Sequence, residues 1–367
     1  MNKLKSFAKS NAVFLIALAL AIATSFIVKP DKEYLGYFDL KTLACLFCTL
    51  AVVCALKNIK FFTILARKIV SATGSLRGAV LALVFITFFG SMLIANDMAL
   101  ITFLPLGYYV LSSTGKENYM AFVFVMQNIA ANLGGMLTPF GNPQNLYLYS
   151  KFNISNSEFV SIMLPLFLTA TAIIIICCLF VKNEKIAPCE KLELKLNKRL
   201  TAIYILLFAI SIAIVFRVIP YYIGTAIVLL GVFVFDKSAL KKVDYGLLLT
   251  FVCFFIFAGN MSRIDAVRNI FTSLLDKSTL LVSIISCQII SNVPSAILLS
   301  QFTDNYRELL MGVNIGGAGT LIASLASLIT FREYTSHNKG KALSYLGVFT
   351  LLNVLFLIVL TIEALII

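Results

Sequence analysis

Long apolar runs separated by short polar turns dominate this chain. They lie at 11–28, 159–181, 200–216 and 344–362, with shorter ones at 42–56, 221–235 and 246–261. A helix needs about 20 apolar residues to cross a bilayer, and fewer when flanking side chains snorkel. The pattern predicts an all-α polytopic membrane protein. Two further apolar pairs, 79–111 and 279–302, are each interrupted at a polar tip: Ala95-Asn96-Asp97 in one, Ser291-Asn292-Val293 in the other. The arms of the second, 279–290 and 294–302, would make about 18 and 14 Å of helix against about 30 Å of hydrocarbon. They are too short to cross, so this pair is predicted to be a re-entrant helical hairpin. The first pair has longer arms and is read in the same way because the chain repeats itself.

The repeat runs through two lines of elements. Phe38-Asp39-Leu40 opens a helix that ends in a basic stretch, and Val243-Asp244-Tyr245 opens another. A hairpin follows each, and then an apolar segment broken by glycines, within 119–149 and 307–330. The breaks read ANLGGMLTPFGNPQNLYL (131–148) and VNIGGAGTLIASLASLI (313–329). Crossing 42–56 is the second and 246–261 the seventh, so the two copies are predicted to be inverted. The first repeat then spans 1–181, a cytoplasmic linker 182–199, and the second repeat 200–367. By parity 11–28 pairs with 221–235, which leaves 200–216 without a counterpart.

Composition supports the membrane reading and charge orients it. Hydrophobic residues make up 60% and charged residues 13% of the chain, where a soluble domain has about 25% charged. A formal charge of +13 raises the question of nucleic acid. The basic residues are instead scattered through short loops, so no nucleic-acid partner is expected. With the amino terminus inside, 21 of the 30 lysines and arginines fall in inner segments, the bias of the positive-inside rule. The reading is a multi-pass inner (plasma) membrane protein, amino terminus cytoplasmic and carboxyl terminus outside. Lys3, Lys5 and Lys9 before an apolar run imitate a signal peptide, but no clear small-residue cleavage site follows. Of the eight cysteines only Cys189 lies outside the apolar segments, so neither a disulfide framework nor a metal site is implied. His337, the single histidine, falls in an inner loop, and no Ser/His/Asp set, GxSxG or HExxH occurs. The chain does not read as an enzyme.

Candidate chemistry gathers where the backbone is irregular. Such backbone is tolerated at membrane depth only where protein or water satisfies it, so two tips and two breaks are expected to face one another. Each break exposes a half-helix N-terminus suited to an anion and unwound carbonyls suited to a cation. In the first break Thr138 and Gly141 interrupt the helix, Asn142 is the expected N-cap, Pro143 the first helical residue, and Asn145 lies one turn on. Asn314, Gly317, Gly319 and Thr320 are the candidates in the second. Asp97 is the one carboxylate far from any membrane edge, which suggests a bound cation or proton. Asn96, Asp97, Ser291 and Asn292 carry oxygens that suit either a sodium ion or capping of the hairpin arm. Val293 completes the second tip. Gln127, Gln144 and Gln288 are weaker candidates, since isolated amides often only join helices.

Asn96-Asp97 paired with LTPFGNPQNL (137–146), and Ser291-Asn292-Val293-Pro294 paired with the later GGAGT, resemble the ion transporter superfamily. That group includes divalent-anion/sodium symporters, citrate carriers, arsenite-pump membrane subunits and certain sodium/proton antiporters. Its dicarboxylate branch carries Ser-Asn-Thr-like tips, whereas Asn-Asp and Asn-Val-Pro look more like the citrate and arsenite-pump branches. The resemblance implies an ion-coupled secondary carrier of a small anion, citrate- or dicarboxylate-like or an inorganic oxyanion. Its coupling ion would be sodium or a proton, with no other cofactor. Arsenite or antimonite efflux and sodium/proton antiport are the alternatives. It also implies a homodimeric scaffold and elevator motion of 79–149 and 279–330.

Overall fold

A computed structural model describes residues 12–186 and 196–367; Lys3, Lys5, Lys9, Cys189 and the rest of 1–11 and 187–195 lie outside the described residues. Helix α1 (Ala12–Ile27) leads into α2 (Leu40–Asn58). Asp39 starts α2 by accepting the Thr42 N–H at 2.9 Å, which satisfies one of the helix's orphan donors. The basic stretch that follows is a helix rather than a loop. This α3 (Phe61–Ser71) buries Phe62, Ala66 and Val70 and leaves Leu65 and Ile69 exposed, the spacing of an amphipathic surface helix. The first hairpin is α4 (Leu76–Ile94) and α5 (Asn96–Ser113), and the first broken helix is α6 (Met120–Gly134) and α7 (Pro143–Lys151), followed by α8 (Asn156–Leu179).

Beyond the linker come α9 (Lys198–Val215), α10 (Tyr221–Phe235) and the short α11 (Lys237–Lys241). Next is α12 (Tyr245–Ser262), which Asp244 caps through the Leu247 N–H at 2.9 Å, as Asp39 caps α2. A second amphipathic helix, α13 (Asp265–Lys277), occupies the other basic stretch. The second hairpin is α14 (Thr279–Ile290) and α15 (Asn292–Leu299), the second broken helix α16 (Tyr306–Gly316) and α17 (Leu325–His337), and α18 (Ala342–Ile366) ends the chain. His337 is thus the last residue of α17 rather than part of a loop, its ring stacked 3.7 Å from that of Tyr108.

Among the described residues seven helical segments are long and apolar enough to span a bilayer, α2, α8, α9, α12 and α18 among them. This is a multi-pass membrane protein. The 19-residue α4 also has spanning length, yet it returns into α5 through the single residue Ala95. The 12-residue α14 does not, as its arm length predicts.

Packing sorts the helices into two groups. In the first, α1 lies along α12, and α9 and α10 cover α2. Outside the helices, Arg263 draws the loop after α1 onto the end of α12 by bonding Asp31 at 2.6 Å and Tyr37 at 3.2 Å. The Arg263 hydrogen bond holds the Asp31 carboxyl below the ordinary carboxylate range. In the second group α4 packs on α5 and α6, α14 on α15 and α16, and α17 crosses to α5 and α6 while α15 crosses to α7. The start of the linker belongs to this group: the Leu76 N–H donates to Glu184 O at 2.8 Å, and Lys116 pairs with the Glu184 carboxylate.

Candidate functional site

Both hairpins turn on one residue with the same backbone. Ala95 has φ 62° and ψ 154°, and Ser291 has φ 75° and ψ 158°, a region that side-chain-bearing residues rarely occupy. After each turn an asparagine begins the second arm and accepts the next N–H on its own Oδ1. Asp97 N–H donates to Asn96 at 2.9 Å, and Val293 N–H donates to Asn292 at 2.9 Å. Each of these bonds stays within the turn. Their amide nitrogens remain free to reach across the molecule.

The breaks match as closely. Asn132 and Asn314 each stand two residues before a glycine that ends the first half-helix, Gly134 or Gly316. Each glycine lets its helix touch a hairpin arm. A methyl on Gly134 would strike the Phe88 carbonyl, and one on Gly316 would lie 2.7 Å from Cys287 Cβ. The threonines bind the hairpins near the tips: Thr138 Oγ1 donates to Met92 O at 3.1 Å and Thr320 Oγ1 to Gln288 O at 3.2 Å. Asn142 and Ser324 hold the N-cap positions in extended backbone, φ −134° and −147°.

The caps differ in chemistry. Ser324 Oγ accepts the Ala326 N–H at 3.2 Å, whereas Asn142 makes no side-chain cap. Asn142 is thus the N-cap by position, as expected, but without a side-chain bond to the helix it precedes. Pro143 follows it as the first helical residue as expected, and proline has no N–H to cap. The Asn142 amide turns into the protein and donates to Asn132 O at 3.2 Å and to Asn314 Oδ1 at 3.4 Å.

A buried network of amides and hydroxyls joins these pieces. Asn132 Oδ1 accepts from Asn96 at 3.2 Å and from Ser324 at 2.8 Å, so one tip and both broken helices meet on one oxygen. Asn314 Nδ2 donates to Asn145 Oδ1 at 2.7 Å, and Asn128 Nδ2 to Ser327 Oγ at 3.3 Å. At the second tip, Asn292 N–H donates to Ala323 O at 3.0 Å and Ser291 Oγ to the same carbonyl at 3.2 Å. Neutral groups make up this network. Burying them is tolerable because most are paired. The unpaired buried atoms nearby are oxygens: Asp97 Oδ1, Asn128 Oδ1, Asn142 Oδ1 and Gln144 Oε1. Unfilled acceptors in a buried site call for a cation, a proton or a donor-rich ligand.

The sequence candidates divide accordingly. Asn96, Asn142, Asn145, Ser291, Asn292 and Asn314 enter the network. Gly141 and Gly317 give it room, since a side chain on Gly141 would strike Gly135 O and one on Gly317 would lie 3.1 Å from Asn292 Nδ2. Gly319 does the same for Gln288, whose Nε2 donates to Gly316 O at 2.9 Å and whose Oε1 accepts the Thr320 N–H at 2.8 Å. Gln288 therefore belongs to the second site more firmly than its sequence suggests. Gln127 bonds Thr87 at 3.0 Å and only joins helices. Asp97 is half-buried in the first turn of α5, and among the described residues no lysine or arginine pairs with it. Val293 contributes its N–H alone. The sequence reading missed Asn128, Asn132, Ser324 and Ser327. Constant spacing holds the missing signal: Asn132, Thr138, Asn142 and Asn145 recur at one offset as Asn314, Thr320, Ser324 and Ser327.

Comparison with known proteins places this geometry in a family. The citrate transporter family model matches residues 6–306. An uncharacterized transporter of Methanocaldococcus jannaschii is 32% identical over 94% of this chain and 96% of its own length. The inner membrane protein YbiR of Escherichia coli is 26% identical over 87% of each chain. A silicon efflux transporter of Oryza sativa subsp. japonica is 29% identical over 48% of this chain and 36% of its own. The chain belongs to the citrate transporter family.

Proposed function

We propose that this protein is an ion-coupled secondary carrier of a small oxygen-rich anion, organic carboxylate or inorganic oxyanion, working by alternating access. One observation carries the reading: the first hairpin tip and both helix breaks are tied together by hydrogen bonds around Asn132 and Asn314, while the second tip is tied to the second break through Ala323 O. Such a constellation offers half-helix N-termini to an anion and unwound backbone to a cation. In this reading Asn96, Asp97, Ser291 and Asn292 serve the coupling ion, sodium or a proton. Thr138, Gly141, Asn142, Pro143, Asn145, Asn314, Gly317, Gly319 and Thr320 shape the solute site, with Val293 lining it.

The two hairpin-and-break units are taken as inverted copies, and the packing of α1 on α12 and of α10 on α2 supports this. A two-fold axis that exchanges α1 with α10 and α2 with α12 turns one contact into the other. The group α4–α8 with α14–α18 is then the moving body, and α1, α2 and α9–α12 the scaffold, dimeric in the cell's inner membrane with its amino terminus inside. A second reading, efflux of an uncharged oxyacid such as arsenite in its protonated form, is favoured because no basic side chain among the described residues enters the network. The similarity to a silicon efflux transporter of rice points the same way.

Reconstitution separates these readings. Proteoliposomes with an imposed sodium or pH gradient should accumulate citrate, succinate or phosphate, and an ionophore that collapses the gradient should abolish the uptake. Arsenite or silicic acid moving in place of all three would favour the second reading. Solute that only equilibrates, indifferent to either gradient, would contradict coupled transport.

A further inference from the structure

Among the described residues helix α9 has no counterpart in the first half of the chain, and its C-terminal turn touches the moving body. Phe216 and Arg217 form that turn. Arg217 Nη2 donates to Tyr149 O at 2.8 Å, and its guanidinium lies 4.4 Å over the Tyr149 ring. Tyr149 O belongs to the last turn of α7, where the helix dipole favours a cation, and a guanidinium on an aromatic face adds a second attraction. The Phe216 ring meets that of Phe140, in the first break, at 5.8 Å. Arg217 holds a left-handed backbone, φ 62°, to make this contact.

Matched positions in the two breaks show what the contact covers. Phe140 and Ile322 occupy the same place, eight residues after Asn132 and Asn314. Phe140 is 9% exposed beneath Phe216, while Ile322 is 56% exposed. Helix packing is lopsided in the same sense. The scaffold meets the moving body chiefly through α7 against α2 and α15 against α12. The counterparts that inversion would supply, α5 against α2 and α17 against α12, make no comparable contact among the described residues. By the charge bias, α7 and α15 run toward the outer face.

We propose that Arg217, with Phe216, is a positioning residue that sets the resting access state, latching α7 to the α9–α10 turn so that the outer path is shut and the inner path open. The proposal rests on the carrier reading above. Loss of the latch frees α7 and α15 to leave the scaffold, and the carrier moves toward the outward state, in which α5 and α17 take their places.

The test uses a full-length chain with its native cysteines replaced and a reporter, Val293→Cys, at the second tip. A membrane-impermeant maleimide is applied to right-side-out and inside-out vesicles. With Arg217 in place the reporter should label from the inner side. Arg217→Ala should raise the outer labelling rate about tenfold, the scale on which losing a charge-assisted hydrogen bond moves a two-state equilibrium. Arg217→Lys should fall between, because it keeps the charge and loses the fork and the stacking. Phe216→Ala, which leaves the guanidinium in place, should also raise outer labelling and provides an independent variant should Arg217→Ala fail to insert. Labelling that ignores all three substitutions yet still responds to sodium or pH would overturn the latch and leave the carrier reading standing. Labelling that answers to neither would overturn both.

Discussion

The two hairpin tips share a backbone and differ in charge. Ala95 and Ser291 adopt the same rare turn, and Asn96 and Asn292 cap their arms with the same bond. The next residue is an aspartate in one and a valine in the other. Val293 needs no partner, whereas Asp97 leaves a buried oxygen without one. The breaks differ too: Asn142 and Ser324 both reach the opposite broken helix, at Asn314 and Asn132, but only Ser324 also caps its own half-helix. What is common to the two units builds an opening in the membrane-embedded backbone. What is unequal is, above all, the single carboxylate of Asp97, which in the proposed reading gives the first unit the charge that the second lacks.

Removing the common part should have the largest effect. Asn132→Ala strands the donors of Asn96 and Ser324, and Asn314→Ala removes a partner from Asn142 and from the Asn145 oxygen. Each buried group left unpaired costs about 1–3 kcal/mol. Both variants should lose gradient-driven uptake entirely, with Asn132→Ala also losing more of the thermal stability measured in detergent. Wild-type uptake by either would break the equivalence of the two units at its centre.

Glycines come next, and they should sharpen the comparison. A methyl on Gly134 meets a backbone carbonyl, which cannot yield, whereas one on Gly316 meets the Cys287 side chain and lies 3.2 Å from Ile284 Cα. Overpacking of this kind costs about 1–3 kcal/mol. Gly134→Ala should therefore lower the melting temperature more than Gly316→Ala. The reverse order would mean that the first hairpin, rather than the second, is the looser arm.

The smallest effect should be a gain. Glycine occupies the backbone of Ala95 and Ser291 without strain, and relief of such strain is worth about 1–3 kcal/mol less the roughly 0.5–1 kcal/mol that glycine's added freedom costs. Ala95→Gly should raise thermal stability. Ser291→Gly should raise it less, because it also loses the 3.2 Å bond to Ala323 O. Equal gains would show that this bond contributes nothing.

Much of this was legible in the sequence because membrane burial leaves few options. Polar residues inside apolar runs had to be turns or sites, which located both tips, and Pro143 after Asn142 located the restart of the first broken helix. Asp39 and Asp244 announced their helices by position alone. The amphipathic helices α3 and α13 were hidden because Lys57, Lys60, Arg67 and Lys68, or Arg263 and Arg268, read as loop charge when the apolar stripe between them is short. Ser324 and Ser327 were hidden for a different reason. Serine is unremarkable in a membrane helix, and only its offset from Asn142 and Asn145 marks it. The direction of the Asn142 side chain was beyond the sequence, since it depends on Asn314 arriving from 172 residues away.

The central claim is that Asp97 alone carries the charge that couples transport to an ion gradient. The direct measurement is uptake by proteoliposomes containing Asp97→Asn, with sodium and pH gradients imposed separately. Asparagine preserves the shape, and the Asp97 carboxylate makes no hydrogen bond among the described residues for the change to remove, so folding and insertion should match wild type. The account predicts that the variant loses its response to the driving gradient while retaining gradient-independent solute exchange, because the half-helix N-termini are untouched. A variant that answers both gradients as wild type does would contradict it, and would return Asp97 to a structural role at the hairpin tip.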